Sequence, residues 1–190
     1  TDLYSWNTTA SNGGTLSRDT ISSPVGNTPM KMVISANDTY TATYSSNTWN
    51  ISPASNGQVW TVSVYAKADR AVTGMIWLFT ANSSGSYIDA PYTNCSITTE
   101  WQRFTFSTTI SNANAAYVQT RLNGPPNSAV NGTTIWWDGL QVENTASATP
   151  FKGATGNNTI LDLTSRGMHY ARGANAQFGY ANNALSFNIP

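Results

Sequence analysis

Residues 133–151, TTIWWDGLQVENTASATPF, restrict the fold of this chain more than any other stretch. The first half is built from β-branched and aromatic residues, the composition of a strand. Simple alternation places Ile135, Trp137 and Gly139 on one face, with Trp136, Asp138, Leu140 and Val142 on the other. A strand that is apolar on both sides belongs inside a sheet, so the earlier strands are expected to pack around it. Asp138 conflicts with that placement. Burying an unpaired carboxylate costs several kcal/mol, roughly, even after relaxation, so Asp138 needs a partner. Backbone N–H groups or an arginine such as Arg103 would supply one.

Charge narrows the function. Only 9% of the 190 residues are charged, nine basic against nine acidic, for a formal net charge of zero. Nucleic acids and anionic membranes select clustered Lys and Arg, so neither is expected as a partner. No run of about 18 apolar residues is present, which excludes a helical membrane span. Asn, Ser and Thr are abundant alongside seven Trp and nine Tyr, as on an extracellular or virion surface that is polar without being charged. The chain opens at Thr1 without a Met or a signal peptide, and a segment removed upstream is expected. Cys95 is the one cysteine, so it forms no intrachain disulfide. Its neighbours Asn94 and Ser96 are not cationic, and it reads as a small packing residue. The several Asn-x-Ser/Thr sequons are what so Asn-, Ser- and Thr-rich a chain yields by chance.

Alternation then locates the strands. Residues 1–28 hold too little apolar content for a helix and suggest one short strand with a wrapping loop. In PMKMVIS, Met30, Met32 and Ile34 share a face. Tyr40, Ala42 and Tyr44 do so in YTATYSS, and Asn56-Gly57 marks a turn. The segment VWTVSVYAKA sends Trp60, Val62, Val64, Ala66 and Ala68 inward and Thr61, Ser63, Tyr65 and Lys67 outward. GMIWLFT (74–80) is apolar on both faces and reads as central. Residues 86–95, with Tyr87, Asp89, Pro91 and Tyr92, read as an irregular loop. WQRFTFSTTI aligns Phe104, Phe106 and Ile110, and YVQTRL (117–122) ends at Gly124-Pro125-Pro126. About eight or nine short strands with no helical period predict an all-β protein, an antiparallel sandwich or jelly roll. A parallel α/β fold would need crossover helices.

The chain divides into a domain over residues 1–151, a Gly- and Asn-rich linker over 152–158 and an extension over 159–190. The extension starts with Ile160, Leu161 and Leu163 and closes with a strand at 184–189. Roughly 30 residues do not build an independent core, so it is expected to dock on the first domain, pair with another subunit or continue into a further unit.

Five pieces in order carry a family resemblance: Tyr4-Ser5-Trp6, residues 24–34, VSVYAKA (62–68), WQRFTF (101–106) and WDGLQVENTASATPF (137–151). Together they resemble the jelly-roll carbohydrate-binding-module domains of bacteriophage virion proteins and of secreted glycan-active enzymes. The extension, with DLTSRG and NNALSF, resembles the opening of a concanavalin A or laminin-G type segment. The resemblance implies a structural or recognition role. It also implies a structural calcium between the N-terminal segment and the last strand, held by oxygen ligands. Asp138 matches the aspartate of that strand, and Asp2 would approach from the N-terminal side. The family's usual acidic partner near the start is replaced here, since Asn7 follows Trp6.

Catalysis has little support. His169 is the only histidine and lies away from any nucleophile context, and no G-x-S-x-G, H-E-x-x-H or phosphate-binding glycine loop occurs. A glycosidase needs facing carboxylates, whereas Glu100 and Glu143 are the only glutamates and the aspartates are scattered. Sugar binding would use exposed aromatic faces beside amide or carboxylate groups. Tyr44, Trp49, Trp77, Tyr87, Tyr92 and Trp136 are the candidates. Core packing claims most of the Trp residues, leaving Trp49, Tyr87, Tyr92 and Tyr44 as the expected carbohydrate site. Arg103, Arg121 and Glu143 are expected in ion pairs on strand faces. The function expected is a non-catalytic virion component, a capsid decoration or fibre protein on the virion surface that oligomerises and binds other virion proteins and host glycans. The alternative is a carbohydrate-binding module of a secreted polysaccharide-active enzyme.

Overall fold

The computed structural model describes residues 6–9, 14–25, 28–34, 43–46, 54–124, 131–151, 177–181 and 184–188. Every element among them is a strand: β1 (Trp6–Thr9), β2 (Thr15–Arg18), β3 (Met30–Val33), β4 (Thr43–Ser46), β5 (Val59–Ala68), β6 (Val72–Ala81), β7 (Tyr87–Asp89), β8 (Tyr92–Ile97), β9 (Gln102–Thr109), β10 (Tyr117–Asn123), β11 (Thr134–Glu143), β12 (Gln177–Ala181) and β13 (Ala184–Asn188). The expectation of eight or nine strands covers the longer ones, to which the chain adds short edge segments. One sheet runs β1-β4-β10-β6-β7, with β8 also pairing β6. The other runs β2-β3-β11-β5-β9. The pairings are antiparallel, and many join strands distant in sequence, as in a jelly-roll sandwich. β12 and β13 form a hairpin of their own, with Gln177 opposite Asn188.

Alternation explains the core. Met30, Met32 and Ile34 come from the β3 segment, Trp60, Val62, Val64, Ala66 and Ala68 from β5, and Ile135 and Trp137 from β11. These meet Ile76 and Leu78 of β6, Cys95 and Ile97 of β8, and Val118 and Leu122 of β10 in one cluster. Trp60 and Trp137 are its largest side chains, at 1% and 0% exposure. Trp137 lies against Gly74, where an added Cβ would fall 3.0 Å from the indole. A full side chain at position 74 has no room.

Three expectations are corrected. First, β11 does not keep one phase: Leu140 and Val142 join Ile135 and Trp137 in the core. A bulge between Asp138 and Gln141 inserts the extra residue, and Gly139, at φ 58°, supplies the left-handed conformation. The strand is central, between β3 and β5, yet apolar on one face only. Second, residues 86–97 form two strands, because β7 and β8 both complete the free side of β6. Pro91 lies between them, where no ladder N–H is needed. Third, the N-terminal region contributes two strands, pairing β4 and β3 respectively.

Candidate functional site

The two outer faces of the sandwich differ. On the β2-β3-β11-β5-β9 sheet, polar side chains that alternate outward are buried under chain. Thr61, Ser63, Asp138, Gln141 and Glu143 are all 0% exposed. Residues 144–151 cross this face as a strap. Glu143 accepts from the Thr149 N–H (3.0 Å) and hydroxyl (2.6 Å), and Gln141 donates to that hydroxyl at 3.0 Å. Arg103 donates to the Thr149 carbonyl (2.6 Å) and to Ser63 (2.9 Å), while the Thr61 hydroxyl donates to the Thr145 carbonyl. A second strap precedes β3. Trp101 donates to the Ser22 carbonyl at 3.0 Å, and Trp136 donates to Asp19 at 2.9 Å. The indole and the Thr20 N–H hold the Asp19 carboxyl below its ordinary value. The motif residues Asp138, Gln141, Glu143 and Thr149 therefore fasten the chain to its own sheet.

Asp138 finds its partners here. One oxygen accepts from the Ser23 hydroxyl, and the other accepts the Gly139 N–H at 2.9 Å. Among the described residues no three His, Cys, Asp or Glu side chains gather. A calcium at Asp138 would thus draw its other ligands from carbonyls, hydroxyls and Asp2, which lies outside the described residues.

The outer face of the other sheet carries a different set. Along β6 the core takes Ile76 and Leu78, so Met75, Trp77 and Phe79 face away from it. Register then lines up neighbours across strands: Tyr92 of β8 opposite Trp77, Trp77 opposite Arg121 of β10, and Arg121 opposite Ser45 of β4. The next positions pair Met75 with Asn94 and Asn123, and Phe79 with Gln119. Trp77 and Tyr92 are stacked, with centroids 4.2 Å apart and planes inclined by 27°. Phe79 touches Trp77 on one side and Tyr87 on the other, at 5.7 and 6.1 Å. The Arg121 guanidinium lies 3.7 Å from the Phe79 ring centroid, a cation–π contact. Tyr87 and Tyr92 are the exposed large aromatics, at 60% and 51%. Polar atoms converge beside them. Trp77 Nε1, Arg121 Nε and Asn123 Oδ1 are shielded and have no hydrogen-bond partner among the described residues. A ring able to stack would meet the exposed faces of Tyr87 and Tyr92.

Two of the four expected sugar-binding residues, Tyr87 and Tyr92, therefore stand on one platform, on strands and not in loops. Tyr44 is set opposite Leu122 in the β4–β10 register, one residue from the Trp77–Arg121 row. Trp49 lies outside the described residues. Trp77, a candidate that the sequence reading gives up to core packing, joins them, and Phe79, Arg121 and Asn123 are additions that the sequence reading does not name for sugar. The available signal was that GMIWLFT is apolar on both sides while YVQTRLN carries Gln, Arg and Asn on one. A second apolar face next to a polar one marks a recognition surface as readily as a central strand. Arg121 has no ion-pair partner among the described residues. Burial lowers its guanidinium from the ordinary value, opposed by Tyr87.

No family model matches the chain, and no curated protein matches it. Solved structures do. The CBM22-2 xylan-binding domain from Paenibacillus barcinonensis Xyn10C is 11% identical, covering 76% of this chain and 94% of that one at TM-score 0.53. The chain has the jelly-roll fold of carbohydrate-binding modules. The arabinose-bound α-L-arabinofuranosidase MgGH51 matches over 74% of this chain at 13% identity and TM-score 0.56, but the match spans only 23% of that enzyme. The enzymatically active domain of tailspike protein 4 of bacteriophage CBA120 is 13% identical, with 71% of this chain and 19% of that one covered at TM-score 0.51.

Proposed function

We propose that this chain is a non-catalytic glycan-binding module that lays a polysaccharide across the β8-β6-β10 face. The observation that carries this reading is the Trp77–Tyr92 stack, exposed at Tyr92 and continued by Phe79, Tyr87 and Arg121 along the same face. Aromatic faces bind the apolar sides of pyranose rings, and inward donors and acceptors fix their hydroxyls. On the strapped opposite face Ser63, Gln141, Glu143 and the Arg103 terminal nitrogen bond to the chain itself. Likeness to xylan-binding modules supports the setting of a secreted polysaccharide-active protein.

Affinity electrophoresis against a panel of soluble polysaccharides tests it. At least one polymer should retard the protein, and Tyr92→Ala and Trp77→Ala should each weaken retardation about tenfold or more, ~1.4 kcal/mol. Trp49→Ala examines the further contact proposed in the segment before residue 54. If both platform variants are retarded like wild type, the site is elsewhere.

The virion reading is the second one, supported by likeness to a phage tailspike domain. It shares the glycan face and adds capsid or fibre subunits, and further copies of this chain, as partners. Sedimentation of the intact protein and antibody labelling of particles separate the two settings.

A further inference from the structure

Arg121 is the feature of the platform that neutral sugars do not require. Other described cations are placed differently: Lys31 lies 3.5 Å from Asp19, Arg70 lies 3.8 Å from Asp69, and Arg103, over Tyr65, donates to Ser63 and Thr149 beneath the strap, while Arg18 lies on the edge strand of that same sheet. Lys67 lies over Trp101 and Trp136 on the strapped face. Among the described cations, Arg121 is the one on the Trp77–Tyr92 face, with its guanidinium carbon 3.7 Å from the Phe79 ring centroid. A guanidinium over an aromatic ring can still donate from its terminal N–H groups, and two parallel N–H groups match a carboxylate bidentately. A half-buried cation with no counter-charge among the described residues is a costly arrangement, which an anionic ligand would relieve. The spacing suits one sugar residue. Trp77 and Arg121 are directly paired across adjacent strands, about 4.8 Å apart. A pyranose stacked on the Trp77–Tyr92 pair would carry its exocyclic carbon toward that neighbour. Bulk attraction does not supply the selectivity, because the net charge is zero.

We propose that Arg121, set beside the Trp77–Tyr92 stack, reads the carboxylate of a uronic acid, so that the glycan taken at this face is a uronate-bearing polysaccharide. This rests on the glycan-binding reading above and specifies its ligand class.

The test compares polygalacturonate and alginate with the same polymers after carboxyl reduction, which keeps the chain and removes the charge. Intact protein should bind the acidic forms at least tenfold more tightly, and the preference should shrink as NaCl rises from 50 to 500 mM. Arg121→Gln should abolish the preference, while Tyr92→Ala should weaken binding of acidic and reduced polymers alike, about tenfold or more. Arg121→Lys should retain part of the preference, and thermal melts should show both arginine variants folded. Equal binding of acidic and reduced polymers overturns the proposal. So does a preference that survives in Arg121→Gln. If neutral xylan or β-glucan binds and no uronate polymer does, this inference fails and the glycan-binding reading stands. If no polysaccharide binds, both fall. Free galacturonate included as a competitor distinguishes a site for the sugar acid from one that needs the polymer.

Discussion

Gly139 shows how one backbone conformation sets a whole strand. Its φ of 58° permits the bulge, and the bulge rotates Leu140 and Val142 into the core while aiming Gln141 and Glu143 at the strap. An added Cβ would meet Val25 Cγ2 at 2.8 Å, Tyr65 at 3.2 Å and Phe151 at 3.3 Å. Gly139→Ala therefore combines left-handed strain with overpacking and should cost ~2–4 kcal/mol in urea unfolding. Gly57 separates the two causes. It has φ 84° and nothing within 4 Å of an added Cβ, so Gly57→Ala should cost only about 1 kcal/mol. Equal losses at both positions would show that crowding at 139 is unimportant. Cys95 provides a second residue-scale check. Burial pushes its thiol up to about 12, so thiolate is scarce at pH 8. A disulfide reagent should label it only at the rate of unfolding, and fast labelling of native protein would contradict its place in the core.

Among elements, the strap over 144–151 holds the central strand from outside. Glu143 is fully buried and accepts two hydrogen bonds from Thr149, so Glu143→Ala leaves the strap's donors without acceptors. A loss of roughly 2–4 kcal/mol is expected by thermal melting, with glycan binding on the opposite sheet retained once the protein is folded. Loss of binding in a folded Glu143→Ala protein would mean that the two faces are coupled. Much of this architecture was legible beforehand. One-sided burial writes a period of two into β3, β5 and β9, and the core residues of those strands follow from it. The bulge was not, since alternation presumes constant phase and Gly139 gives no warning of its sign of φ. Strands β7 and β8 are hidden in the sequence because edge segments can be polar and short, with pairing to β6 doing what hydrophobic pattern does elsewhere. The site was half legible. Tyr87 and Tyr92 were singled out as aromatics in polar sequence, while Trp77 was assigned to packing because a single strand does not reveal which of its two apolar faces meets the other sheet.

At the scale of the molecule, the sandwich commits one sheet to self-anchoring and leaves the other open for the glycan binding proposed above, and Asp138 lies on the anchored side. Its hydrogen bonds from Ser23 and Gly139 join β11 to the strap that precedes β3. The calcium proposed for Asp138 and Asp2 would act at the same junction, tying the N-terminal segment to the central strand and stabilising folded over unfolded chain by mass action. At a hundredfold excess over its dissociation constant, an ion specific to the folded state contributes about 2.7 kcal/mol, or ~5–10 °C in Tm for a chain of this size. Calorimetry with millimolar calcium against EDTA should show that upward shift, and Asp138→Asn should remove it. A Tm indifferent to both additions, with Asp138→Asn still destabilised, identifies Asp138 as a hydrogen-bonded anchor and removes the metal from the account. In either case the glycan face should bind equally with and without EDTA, because its aromatic stack and Arg121 lie on the other sheet. Binding abolished by EDTA at a temperature well below Tm would place the ion on the recognition face instead.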